Sequence, residues 1–288
     1  MKTNQRILWV VVSILSCIVL PSCGNENFDT TSCLEIKLKS CIQPTSRGVD
    51  LNQQATELAE GQYVGVTILN ALSEHNHVKW MVGSEGVLEN TGSNVQWGES
   101  SVTVYAYQPY QRDWSGTNSW ENFSVQTDQS TTVGYLDSDL LWSTQTANFI
   151  GEPIELVFSH KLSKINITIS SDDIADLSNA TIRVCHSNLA VQFNPQTGQL
   201  KEASMVSISD IKASVTTAES KTASCIIVPQ EIKQGTAFIQ VDHADKTYQY
   251  KLKNDITFQE GKLYHFVLLI KDGKMNDVTA TAPDLPWG

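Results

Sequence analysis

The stretch "SEHNH" places His75 and His77 two residues apart, next to Glu74. Two such imidazoles on one strand share a face, and their neutral ring nitrogens can hold a metal ion. No third ligand is identifiable near them, so they read as surface histidines in a polar loop. His160, His186, His243 and His265 stand singly along the chain. The acidic pairs Asp137/Asp139 and Asp172/Asp173 are short turn clusters. Calcium takes about six to eight oxygens, and nothing in the sequence shows that many converging. Nucleophile elbow, phosphate loop, HExxH and EF-hand patterns are all missing from the sequence. These residues therefore suggest neither an enzyme, nor a metal site, nor a cofactor. The aromatic run "YAYQPYQRDWSGTNSW" offers different chemistry: Tyr105, Tyr107, Tyr110, Trp114 and Trp120 could stack on sugar rings or pack into a core.

The elements that would position these groups are strands. After the first two dozen residues the dominant apolar period is two, the mark of half-buried β-structure. "LEIKLKSCI" (34–42) puts Leu34, Ile36, Leu38 and Ile42 on one face and Glu35, Lys37 and Lys39 on the other. "YVGVTIL" groups Val64, Val66 and Ile68, and "SVTVYAY" groups Val102, Val104 and Ala106. "TAFIQVD" and "TYQYKL" flank the turn "HADK" and predict a hairpin near 236–252; "YHFVLLI" (264–270) reads as a central strand. In "IELVFSHKLSKINITI" the apolar set moves from even positions (Ile154, Leu156, Phe158) to odd ones (Ile165, Ile167, Ile169). A sheet face cannot change parity without an extra residue, which predicts a bulge or tight bend within 159–164. "DDIADLSNA" (172–180) reads as one short helix or helical turn. Segments 83–101 and 111–134 read as long loops. The polar stretch 146–153, with Gly151 and Pro153, is the expected boundary between domains at 48–150 and 151–288. The expected fold class is all-β, two consecutive sandwiches with at most short helices.

The N-terminus carries a targeting pattern. Lys2 and Arg6 precede the apolar run "ILWVVVSILSCIVL", which ends in "LPSC" at 20–23. That run is too short to span a bilayer comfortably. The pattern is that of a bacterial lipoprotein signal (1–22), in which Cys23 is lipidated and becomes the new N-terminus. A lipid on Cys23 would anchor the chain to a membrane without a spanning helix. Removing the signal takes the formal charge from −11 to −13, since Lys2 and Arg6 are its charged residues. An acidic chain argues against nucleic acid as a partner. Cys33, Cys41, Cys185 and Cys225 follow in no CxxC spacing. Cys185 and Cys225 are compatible with a strand-to-strand disulfide or with two buried thiols.

Several of these segments together resemble a known family. "LVFSHKLSKINITI" is similar to the F-x-H-x-L-x-K segment of the fimbrillin-like lipoproteins of Bacteroidales, the major and minor subunits of type V pili. "CIIVPQEIKQGTAFIQVDHADKTYQYKL", "FQEGKLYHFVLLI" and the closing "PWG" follow the order seen in that family, and "VYAYQPY" and "LLWST" add to the likeness. The resemblance implies two transthyretin-like β-sandwich domains and a lipoprotein displayed on the outer membrane. It also implies assembly into fimbriae with other pilin subunits by β-strand addition. An arginine-specific cut would remove an N-terminal segment, here 23–47, by cleavage between Arg47 and Gly48 in "CIQPTSRGVD". The strand 34–42 would then be the removable strand. Burying its four aliphatic side chains is worth at most about 6–12 kcal/mol. Pro44, Ser46 and Gly48 keep the segment extended or turned, in reach of a protease. If 276–285 is the last core strand, no spare strand remains to donate, which would suit a tip or accessory subunit. The competing expectation is a monomeric surface lipoprotein that binds a host or bacterial glycan or protein through the aromatic run and is never cut at Arg47.

Overall fold

The computed structural model describes residues 35–42, 58–73, 75–92, 94–98, 101–148, 151–216, 221–278 and 282–287. Alternating apolar positions close the first part of the chain into a barrel. Its strands are β1 (Leu38–Ile42), β2 (Tyr63–Leu69), β3 (His75–Val82), β4 (Val87–Asn90) and β5 (Ser101–Gln108). After β6 (Glu121–Ser124), which lies elsewhere, β7 (Leu141–Asn148) and β8 (Ile154–His160) complete it in the order β1-β4-β3-β2-β5-β7-β8. Val64, Val66 and Ile68 of β2 face inward with Val102, Val104 and Ala106 of β5, as the two-residue period requires. Ile154, Leu156 and Phe158 of β8 close the same core.

The rest of the chain forms a second core between sheets. The strands are β9 (Ser163–Ser171), β10 (Thr181–Asn188), β11 (Ala190–Phe193), β12 (Leu200–Glu202), β13 (Ile208–Lys212), β14 (Ser214–Thr216) and β15 (Lys221–Ile227). They continue with β16 (Gln230–Ile232), β17 (Ala237–His243), β18 (Lys246–Lys251), β19 (Ile256–Phe258), β20 (Lys262–Lys271), β21 (Lys274–Asp277) and β22 (Ala282–Pro286). One sheet runs β14-β15-β9-β20-β21, with β22 also on β20; the other runs β13-β10-β17-β18. A three-stranded sheet, β12-β11-β6, packs Phe123, Val191 and Phe193 into the same core. The fold is all-β, and both cores belong to one compact unit over Leu34–Gly288. The expected boundary at 146–153 covers the end of β7 and the connection to β8, two strands of the barrel.

The parity change falls at a tight bend within 159–164, one of the two expected alternatives, and not at a bulge inside one strand. β8 ends at His160 and belongs to the barrel, while β9 starts at Ser163 in the second core. Phe158 is buried in the first core and Leu162 in the second, so the bend at 161–162 passes the chain between them. The hairpin near 236–252 is present as β17 and β18, tighter than expected, with His243 opposite Lys246. β20 is central, flanked by β9 on one side and by β21 and β22 on the other.

Two expectations are corrected. Residues 172–180 form bends and turns without a helix. Their carbonyls at Leu177, Ser178 and Ala180 accept from the ammonium of Lys221, at 2.6, 2.7 and 2.7 Å, so a distant cation satisfies this backbone in place of helical bonds. The supposed loops at 83–101 and 111–134 contain β4, β6 and the start of a one-turn helix, α1 (Thr132–Leu136). Thr131 caps α1 by accepting from the Gly134 amide.

Candidate functional site

β1 is the strand on which the functional reading turns. It pairs in parallel with β8 along its whole length, from Leu38 opposite Ile154 to Ile42 opposite Phe158. On its other side it meets β4 only at Leu38 and Lys39. Just before β1, the Ile36 amide donates to Val95 at 2.8 Å and Glu35 bridges Gln96. A parallel neighbour needs a long crossover in the chain, and here the crossover runs from β1 to β8 through the entire barrel. Withdrawing β1 would therefore open the barrel at one seam, between β4 and β8, without breaking any other strand pair.

The inward side chains of β1 fill that seam. Ile36 (2% exposed), Leu38 (1%) and Ile42 (8%) are buried in the barrel core, worth about 5–9 kcal/mol together as an upper estimate. Ser40 is also inward and donates from Oγ to the Gly86 carbonyl at 3.0 Å. Gly86, at φ +72°, lets the chain pass close to β1; a Cβ there would sit 2.4 Å from the Ser40 carbonyl oxygen. Lys37 is exposed, and Lys39 and Cys41 are half-buried. Burial and the neighbouring Glu155 carboxylate push the Cys41 thiol up. Cys23, Leu34, Arg47 and Gly48 lie outside the described residues, as does Glu74.

The aromatic run divides. Tyr107 and Trp114 are buried in the second core, 4.8 Å apart between ring centroids, and both approach Phe193. Tyr105 and Tyr110 are half-buried. The Tyr110 ring stacks on His77 at 5.1 Å. Trp120 is 38% exposed, one residue before β6 of the three-stranded sheet. One outward surface made of all five rings is therefore not formed.

The other candidate groups have structural partners. Trp80 donates from Nε1 to Nε2 of His75 at 2.9 Å, and burial lowers the His75 pKa to about 4. His77, at φ 52°, turns away to bond the Tyr107 hydroxyl at 2.6 Å. His160 donates from Nδ1 to Asp139 at 2.8 Å and stacks on Trp287 at 3.9 Å, beside the chain crossing. Asp173 caps the amides of Asp272 and Gly273, and Asp172 pairs with Lys271. Among the described residues no group of three or more His, Cys, Asp or Glu side chains could hold a metal ion. Cys185 and Cys225 are free thiols, both buried; burial raises both, Cys185 to about 12.

These features define an all-β architecture in which a short strand near the N-terminus, paired in parallel, completes a barrel. A model of the fimbrillin-like family matches residues 52–284, and the chain belongs to that family. The provisionally named fimbrium subunit Fim1C of Bacteroides uniformis is 24% identical over 206 residues, covering 66% of this chain. The chain covers 65% of that relative, just under two thirds of its length. A solved structure provisionally titled a cell adhesion protein, from Bacteroides ovatus, has a TM-score of 0.67 at 19% identity, covering 88% of this chain and 97% of its own. A second of the same description, from Bacteroides uniformis, has a TM-score of 0.62 at 17% identity, covering 88% and 98%. At those identities the likeness shows a shared fold.

Proposed function

We propose that this protein is a subunit of a bacterial fimbrium. It travels to the outer membrane as a lipoprotein anchored through Cys23, is cut between Arg47 and Gly48, and then accepts a strand from another subunit in place of β1. The observation that carries this reading is the seat of β1, a single parallel strand closing the barrel between β4 and β8. Cutting the tether would turn β1 from part of the chain into a peptide held by about three aliphatic side chains and its backbone bonds. Its loss would expose apolar side chains and two unpaired strand edges, which invite a replacement strand. A head-to-tail contact of that kind does not close on itself and extends into a filament. Catalysis has no place in this reading; adhesion and assembly do.

The experiment is a strand-replacement assay. Protein cut at Arg47 with an arginine-specific protease is stripped of its N-terminal peptide in mild denaturant. It is then offered a labelled peptide of residues 34–42 or a scrambled one. The native peptide is expected to bind and block association between subunits, and the scrambled one to do neither. Equal binding of the two, or none, would sink the proposal.

A further inference from the structure

The outer face of the sheet β12-β11-β6 carries an unusual set of side chains. Its register aligns Lys201, Gln192 and Asn122 in one row and Ala190 with Ser124 in another. Trp120 continues the β6 side of this face; among the described tryptophans it alone is more than a third exposed, at 38%. The Lys201 ammonium lies 4.1 Å from the centroid of its ring. Gln192 donates to the Asn122 carboxamide oxygen at 3.2 Å, and Asn194 donates to the Asn118 carboxamide oxygen at 2.7 Å. Asn118, Asn122 and Gln199 are exposed.

The face is rigid from behind. Phe123, Val191 and Phe193 are buried under it, and Trp114 donates from Nε1 to the Asn122 carbonyl at 3.3 Å. The loop leading to Trp120 is tied by Glu121, whose carboxylate accepts from the Ser115 amide, the Ser115 hydroxyl and the Ser119 hydroxyl at 3.0, 2.8 and 2.7 Å. An indole next to a stiff sheet that carries exposed carboxamides is thus held in place before any ligand arrives.

We propose that this face binds an uncharged pyranose residue of a glycan. A pyranose presents C–H groups on one side of its ring, which pack on an indole, and hydroxyls around its edge. Carboxamides suit those hydroxyls because each both donates and accepts, and Asn122 and Gln192 keep further capacity after bonding each other. The Lys201 ammonium already covers one face of the indole, so the sugar stacks on the opposite face. Ala190 is the one aliphatic side chain in the two rows, too little apolar area for the desolvated centre of a protein interface. The net charge of −11 works against a polyanionic glycan. This site is separate from the β1 seam, so it stands or falls independently of strand exchange.

The test uses the intact, uncut chain in affinity gel electrophoresis with yeast mannan, guar galactomannan, oat β-glucan or hyaluronan cast in the gel. Retardation is expected in at least one neutral gel. Trp120→Ala should weaken it about ten-fold, the loss of one stacked ring. Trp120→Tyr should retain most of the binding, and both variants should melt at the wild-type temperature. Wild-type migration unaffected by every neutral polysaccharide would overturn the proposal. So would retardation that survives Trp120→Ala, or that occurs with hyaluronan alone.

Discussion

At the scale of single residues, the buried imidazole of His75 accepts from the Trp80 indole at 2.9 Å. Its folded pKa of about 4 lies below its ordinary value of 6.5, so on acidification the unfolded chain takes up the proton first. Stability is fully present above about pH 6.5 and is lost as pH falls from there toward 4. Burial lowers His77 and His265 in the same direction. His75→Gln keeps an acceptor for Trp80 and removes one titration, so urea unfolding should show a flatter slope between pH 4 and 6.5; an unchanged slope would contradict the assignment. Lys221 is the second case. Lys221→Met should cost about 3 kcal/mol by leaving three carbonyls without their donor, measured by chemical denaturation. Neither role was legible in the sequence. The pattern "SEHNH" identified the imidazoles but not Trp80, and the carbonyls that Lys221 binds lie more than forty positions away.

At the scale of elements, periodicity read most of the strands and misjudged what joins them. Alternation placed Ile36, Leu38 and Ile42 on one face, and the barrel buries all three. The same alternation detected the phase change after Phe158 without revealing that two cores meet there, because a one-dimensional pattern records parity and not which sheet a strand enters. β4 and β6 were missed because they are four residues each and lie among Gly, Ser, Thr and Asn. The F-x-H-x-L-x-K segment now has a physical reading: Phe158 ends one core, Leu162 begins the other, and His160 between them holds Trp287. For β1, Gly86→Ala should loosen the strand specifically, since its Cβ would press on the Ser40 carbonyl oxygen at a backbone angle that favours glycine. Amide exchange in 38–42 should speed up at least ten-fold while β9 and β20 keep their protection. Uniform acceleration across the chain would mean that β1 is not a separable element.

At the scale of the molecule, the barrel is complete only while β1 occupies its seam. The barrel is closed by a strand that arrives from the N-terminal side and pairs in parallel with the strand leading into the second core. Leu38→Asp would place an unpaired carboxylate in that seam, so the uncut protein should be destabilised by more than about 3 kcal/mol and should associate without proteolysis. Family membership and the β-fold could be anticipated from short motifs in order. The proposed exchange rests on the family resemblance and not on periodicity, because alternation shows that a strand has a buried face and not whether that strand is permanent. The most direct measurement is the N-terminal sequence and intact mass of the protein recovered from assembled fibres on the cell surface. The expected result is a chain that begins at Gly48 and carries no lipid. A chain that begins at acylated Cys23 with residues 24–47 intact would contradict it, since β1 would then still be tethered in its own barrel.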